Sequence, residues 1–132
     1  MADPKTIGRY QVLRPIGQGG MGTVYLAEDP LLKRRVAIKV IRVAGSARHQ
    51  AMLRFRREAE ISAQLNHPNL VTIFDVGVEE DLGPFLAMEY VEGKSLGKHI
   101  KEKNLDTETA AKVLIQAMRA LRAAHRRAIV HR

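Results

Sequence analysis

Short runs dense in β-branched and aromatic residues open the chain. Tyr10 to Ile16, Thr23 to Ala27 and Arg35 to Arg42 each read as a strand. Between the first two lies a glycine cluster, Gly17-Gln18-Gly19-Gly20-Met21-Gly22, and Asp29-Pro30 marks a turn after the second. These strands predict an antiparallel meander. The period then changes. Met52, Phe55, Ala59 and Ser62 recur at three-to-four spacing with polar residues between them, which predicts a helix from Arg48 to Leu65. Asn66-His67-Pro68-Asn69 breaks that pattern. Two more strands are expected, Leu70 to Val78 and Phe85 to Tyr90, joined by an acidic turn at Glu79-Glu80-Asp81.

Beyond Gly93 the pattern is helical. Ser95 to Lys103 forms one short helix. Asp106 or Thr107 caps a longer one, with Glu108 in the first turn, where a carboxylate complements the helix dipole. Leu114, Ala117, Met118, Leu121 and Ala124 then make an apolar stripe, and Ile129-Val130 predicts a last short strand. The expected class is α+β: five strands interrupted by one helix, followed by helices.

Composition narrows the function. At 132 residues the chain fits one compact domain, and 45% apolar residues rule against wholesale disorder. The absence of cysteine excludes a disulfide framework and a thiolate metal site, and suits a cytoplasmic setting. Met1 to Arg9 is polar, without the apolar run of a signal peptide, and no stretch approaches the ~20 apolar residues of a membrane helix. The net charge of +8 raises nucleic acid or anionic phosphates as partners. With three Phe, three Tyr and no Trp, a base-stacking platform is poorly supported, which favours phosphates over nucleic acid.

Gly17-x-Gly19-x-x-Gly22 alone also marks dinucleotide-binding folds, in which the glycines open a helix. Here Thr23-Val24-Tyr25-Leu26 follows, so the glycines sit at a strand-to-strand hairpin. Such a hairpin lets backbone amides approach phosphate, and it is equally a plain glycine-rich turn. In Val36-Ala37-Ile38-Lys39, side-chain alternation puts Ala37 and Lys39 on one face, with Val36, Ile38 and Val40 on the other. A small residue beside a lysine leaves room for a flat ring with a cation reaching past it; a solvated lysine is the bland reading. A buried lysine needs a carboxylate. On the helix, Glu58 shares a face with Ile61, Ser62 and Leu65, whereas Glu60, about 200° further round, points out with the arginines.

Together these segments resemble the opening of a protein kinase. The glycine loop ending in Val24, Val36-Ala37-Ile38-Lys39, His67-Pro68-Asn69-Leu70-Val71 and Met88-Glu89-Tyr90-Val91 occur in the family's order. The Gly-Gly-Met-Gly step is most similar to bacterial Ser/Thr kinases of the eukaryotic type. The resemblance implies an N-terminal extension over 1–9, an ATP-binding N-lobe and hinge over 10–91, and the start of a helical C-lobe over 92–132. It implies a loop of Ile16, Gly17, Gln18, Gly19, Gly20, Met21, Gly22 and Thr23 over the triphosphate, with Val24 and Ala37 around the adenine. Lys39 would hold the α- and β-phosphates and pair with Glu58. Met88 would stand behind the adenine as gatekeeper, Glu89 and Val91 would offer hinge backbone to its edge, and Ser95 would lie near the ribose. Ile73 and Ser62 would join a hydrophobic spine, with His131 below.

The reaction implied is transfer of the ATP γ-phosphoryl to protein Ser/Thr hydroxyls, with Mg²⁺ as cofactor. Ile129-Val130-His131-Arg132 resembles the approach to the family's His-Arg-Asp motif. The catalytic aspartate and the Mg²⁺ ligands would follow Arg132, so the 132 residues alone are expected to be inactive. A non-catalytic, ATP-binding or kinase-interacting regulator is the alternative class, and protein substrates are not legible.

Overall fold

The computed structural model describes residues 3–19, 22–42 and 48–130; within the first helix, the side chains of residues 48, 49, 51, 54, 58 and 62 are not described. Gly20, Met21 and His131, and the side chains of Glu58 and Ser62, therefore lie outside the described residues. The chain divides into two compact units, Met1–Gln64 with Thr72–Tyr90, and Leu65–Val71 with Val91–Arg132.

The first unit is a six-stranded antiparallel sheet in the order β1-β2-β3-β4-β6-β5. Its strands are β1 (Thr6–Ile7), β2 (Tyr10–Gly19), β3 (Gly22–Asp29), β4 (Arg34–Ile41), β5 (Ile73–Glu79) and β6 (Gly83–Glu89). Helix α1 (Arg48–Ala63) separates β4 from β5. Five strands fall where alternation put them. The sixth, β1, is a correction: it lies in the polar segment read as an extension, and it pairs Thr6 with Gln11 and Ile7 with Tyr10.

One face of the sheet is the core. Register sets Tyr25 beside Ile38 and Ile38 beside Ala87, with Ala27 beside Val36 and Val40 beside Phe85. Ile7 and Tyr10 complete this cluster. Each of its Ile, Val and Phe side chains taken from water contributes about 1.5–3 kcal/mol.

The sheet curls until its two ends meet. The Gly8 amide donates to Glu79 Oε1 at 2.6 Å and the Tyr10 hydroxyl to Asp75 Oδ2 at 3.1 Å, joining the β1–β2 turn to β5. Gly8 has φ of 56°, and a Cβ there would stand 2.9 Å from the Phe85 ring, so turn and packing both require glycine. The Arg9 guanidinium lies 3.3 Å from Asp29 Oδ2 and 3.6 Å from Asp75 Oδ2. Asp29 is fully buried and also accepts from the amides of Leu31 and Leu32. Burial pushes its carboxyl up, but the two amides and Arg9 outweigh this and leave it below the ordinary value.

Helix α1 packs on β5 and, more lightly, on β6. Met52 and Phe55 are half-buried and Ala59 is buried, as the three-to-four spacing predicts. Ile61, placed by the same argument on the inward face, is exposed.

The second unit holds α2 (Leu96–Lys101) and α3 (Thr107–His125). Asp106 is the N-cap of α3: its Oδ1 accepts from the Thr109 amide at 2.9 Å, which with the Thr109 hydroxyl holds its carboxyl below the ordinary value. Ala120 and Ala124 are buried, while Leu114, Met118 and Leu121 are exposed. Ile129 and Val130 form no strand, a second correction. The Ile129 amide donates to the Ala124 carbonyl at 3.1 Å, with Ala128 left-handed at φ of 57°, so the segment closes the helix end instead.

Candidate nucleotide-binding site

Strand register assembles most of the candidates in the first unit. On the sheet face opposite the core, Gly17 pairs with Val24, Val24 with Lys39, and Lys39 with Leu86. The neighbouring row runs Leu26, Ala37, Met88, Ile73. Residues directly opposite on antiparallel strands share a face. A cation, two small residues and an apolar gatekeeper candidate thus stand side by side. Ala37 and Leu26 are buried, while Val24, Lys39, Leu86 and Met88 are half-buried. The half-buried row is a floor on which a flat apolar group can lie with a cation at its edge. Leu26 and Leu86 were not among the residues singled out from the sequence. Their signal was there, since each stands two positions along a strand from a candidate, Val24 or Met88.

The loop itself is a hairpin, as its composition implied. Gln18 pairs with Thr23 and Gly19 with Gly22. Ile16 falls in an irregularity of β2 between Pro15 and Gly17 and is partly exposed. Thr23 is buried and pairs with Val40 in the core-face row, so its side chain turns away from Val24 and Lys39. Gly22 has φ of 142°, and a Cβ there would run into the Val40 carbonyl. Gly19 is different: a Cβ built on it meets nothing within 4 Å. The open backbone at Gly19 is the kind of cradle that a phosphate can approach.

On α1, Glu60 is exposed and its Oε1 lies 3.3 Å from Arg56 Nε, the outward placement expected of it. Glu58 lies on the same helix. At the end of β6, the Glu89 amide donates to the Thr72 carbonyl at 2.8 Å, and its Oε2 accepts from the Thr72 amide at 3.3 Å. The Glu89 side chain thus has a local task that the sequence did not disclose. In the other unit, Val91 is exposed, and Ser95 is the N-cap of α2, its Oγ accepting from the Lys98 amide at 3.3 Å.

The protein kinase domain profile matches residues 10–132. The chain is 46% identical over 126 residues to the serine/threonine-protein kinase PrkC of Bacillus subtilis, covering 95% of this chain and 19% of that protein. It is 40% identical over 134 residues to the serine/threonine-protein kinase PksC of Streptomyces coelicolor, covering 95% of this chain and 24% of the relative. Among solved structures, the Mycobacterium tuberculosis PknI kinase domain superposes with a TM-score of 0.84 at 31% identity, over 100% of this chain and 53% of that one. The chain thus spans about a fifth of these curated relatives and about half of the solved domain. On a match spanning nearly all of its length, the chain belongs to the protein kinase family and is an N-terminal kinase-domain segment of the bacterial serine/threonine type.

Proposed function

We propose that this segment grips ATP for a kinase that transfers the γ-phosphoryl to serine or threonine hydroxyls of proteins in the cytoplasm. The observation that supports the reading most is the cross-strand row Gly17, Val24, Lys39, beside the row Ala37, Met88. Val24, Ala37 and Met88 enclose the adenine, and the Glu89 backbone meets its edge. The amides of the loop from Ile16 to Thr23 meet the phosphates. Lys39 neutralises the α- and β-phosphates, with Glu58 of α1 as the carboxylate assigned to it. Phosphoryl transfer relies on positioning and charge stabilisation, so a fixed cation and a backbone cradle are this segment's share of the work. Mg²⁺, when bound, would neutralise charge developing on the phosphates; no residue of this segment is assigned to hold it. A positioned base contributes roughly 10²–10⁴ in rate, and none is assigned here either, so the 132-residue polypeptide alone transfers no phosphate.

The test is ATP titration of this polypeptide by calorimetry or fluorescence. Lys39→Met should weaken binding about 10–100-fold, the range for losing a charged hydrogen-bond donor. Glu60→Gln should leave it unchanged. Equal affinity for wild type and Lys39→Met would sink the assignment.

A further inference from the structure

Residues 5–10 have no task in the nucleotide site, yet they form a strap over the Phe85 ring. Among the described residues before β2, Ile7 alone is buried, and it lies in the core cluster with Tyr10 and Phe85. The ring is caught between two glycines. A Cβ at Gly8 of the strap would stand 2.9 Å from it, and one at Gly77 of β5 only 2.5 Å. The polar fastenings are spaced along the strap. The Val12 amide donates to the Lys5 carbonyl at 3.0 Å, the Gly8 amide to Glu79 Oε1 at 2.6 Å, and the Tyr10 hydroxyl to Asp75 Oδ2 at 3.1 Å. A two-residue strand with one buried side chain opens at less cost than the sheet beneath it. What it covers matters to the site. Leu86, next to Phe85 along β6, is the cross-strand partner of Lys39, and Met88 lies two residues further on.

We propose that Glu79 is a positioning residue. Its carboxylate latches the strap, the strap fixes Phe85, and Phe85 sets β6, whose other face carries Leu86 and Met88. The closed strap is the state that binds ATP, so ATP in turn favours closure. That coupling rests on the nucleotide reading above; the latch itself does not. What position 79 must supply is an acceptor oxygen for the Gly8 amide. Gln supplies one, and Ala does not.

The experiment is native-state amide exchange on the 132-residue chain, with and without ATP. Val12, whose amide bonds the Lys5 carbonyl, reports the strap. Ile38, fully buried on β4, reports global unfolding. Val12 should exchange faster than Ile38 and, unlike Ile38, should not respond to low urea, the mark of local opening. Glu79→Ala should speed Val12 exchange about tenfold, the effect of losing a bond to a charged acceptor. Glu79→Gln should stay within about twofold of wild type. ATP at about ten times its dissociation constant should slow Val12 exchange about tenfold, because only the closed strap binds it.

A urea response at Val12 equal to that at Ile38 would overturn the strap as a separately opening part. Glu79→Gln behaving like Glu79→Ala would overturn the latch. ATP binding that leaves Val12 exchange unchanged would overturn the positioning role and leave the nucleotide reading standing. Failure of the wild-type chain to bind ATP, with the exchange pattern intact, would overturn the nucleotide reading and the positioning role with it, and leave the latch.

Discussion

Gly19 and Gly22 belong to one motif, but the structure separates what each is for. At Gly22 an L-residue meets two obstacles. Its φ of 142° is a conformation that side chains rarely adopt, and its Cβ would enter the Val40 carbonyl of the neighbouring strand. Backbone strain of this kind costs of order 1–3 kcal/mol, and forcing a strand apart adds a further ~1–3 kcal/mol. Gly22→Ala should therefore lose roughly 2–6 kcal/mol of stability, a large part of a small domain's total. At Gly19 neither obstacle exists, since a Cβ has nothing within 4 Å and φ is ordinary. Gly19→Ala should stay within about 0.5 kcal/mol of wild type. It should nonetheless weaken ATP binding, because a methyl group blocks backbone from approaching phosphate. Urea unfolding of the three proteins, followed by ATP titration of the folded ones, checks both halves. A Gly22→Ala protein as stable as wild type would refute the strain argument. A Gly19→Ala protein that binds ATP normally would remove Gly19 from the phosphate cradle.

Ile7→Ala should cost about 2–5 kcal/mol in urea unfolding, because Ile7 is fully buried in the sheet core. Ala128→Gly should stabilise by roughly 0.5–1 kcal/mol in the same assay, since Ala128 holds a left-handed conformation at φ of 57° that glycine adopts freely. Burial and the bond to Asp75 push the Tyr10 hydroxyl up to about 12 from an ordinary 10.0. A raised acid is stabilised in its neutral form, so this contribution is complete below pH 10 and fades between pH 10 and about pH 12. Thermal melts should show that alkaline loss in wild type and a flatter profile in Tyr10→Phe.

Much of the site was legible because strand periodicity is strict. Val36, Ile38 and Val40 are in the core cluster, and Lys39, between them, is half-buried on the other face, as alternation requires. The outward placement of Glu60 followed from helical geometry alone. The misses have two causes, long-range contact and a local helix-end bond that overrides strand propensity. A two-residue strand has no period to read, and β1 exists because Ile7 finds the core and Gly8 reaches Glu79, 71 residues away. Ile129 and Val130 carry strand propensity, but the Ala124 carbonyl captures the chain first. The pairing of Glu89 with Thr72 is likewise invisible to local pattern.

The site depends on such non-local choices more than its motifs suggest. A one-residue slip in a strand turns every side chain to the other face. Along β2 the partner of Pro15 is Tyr25, a core-face residue, yet the partner of Gly17, two positions on, is Val24. Regular alternation would have set Gly17 opposite Thr23. The irregularity at Ile16 absorbs one residue, and that single step brings the glycine into the row of Val24 and Lys39. The motif supplies the glycines, but the bulge, which no residue type announces, decides which of them stands beside the cation.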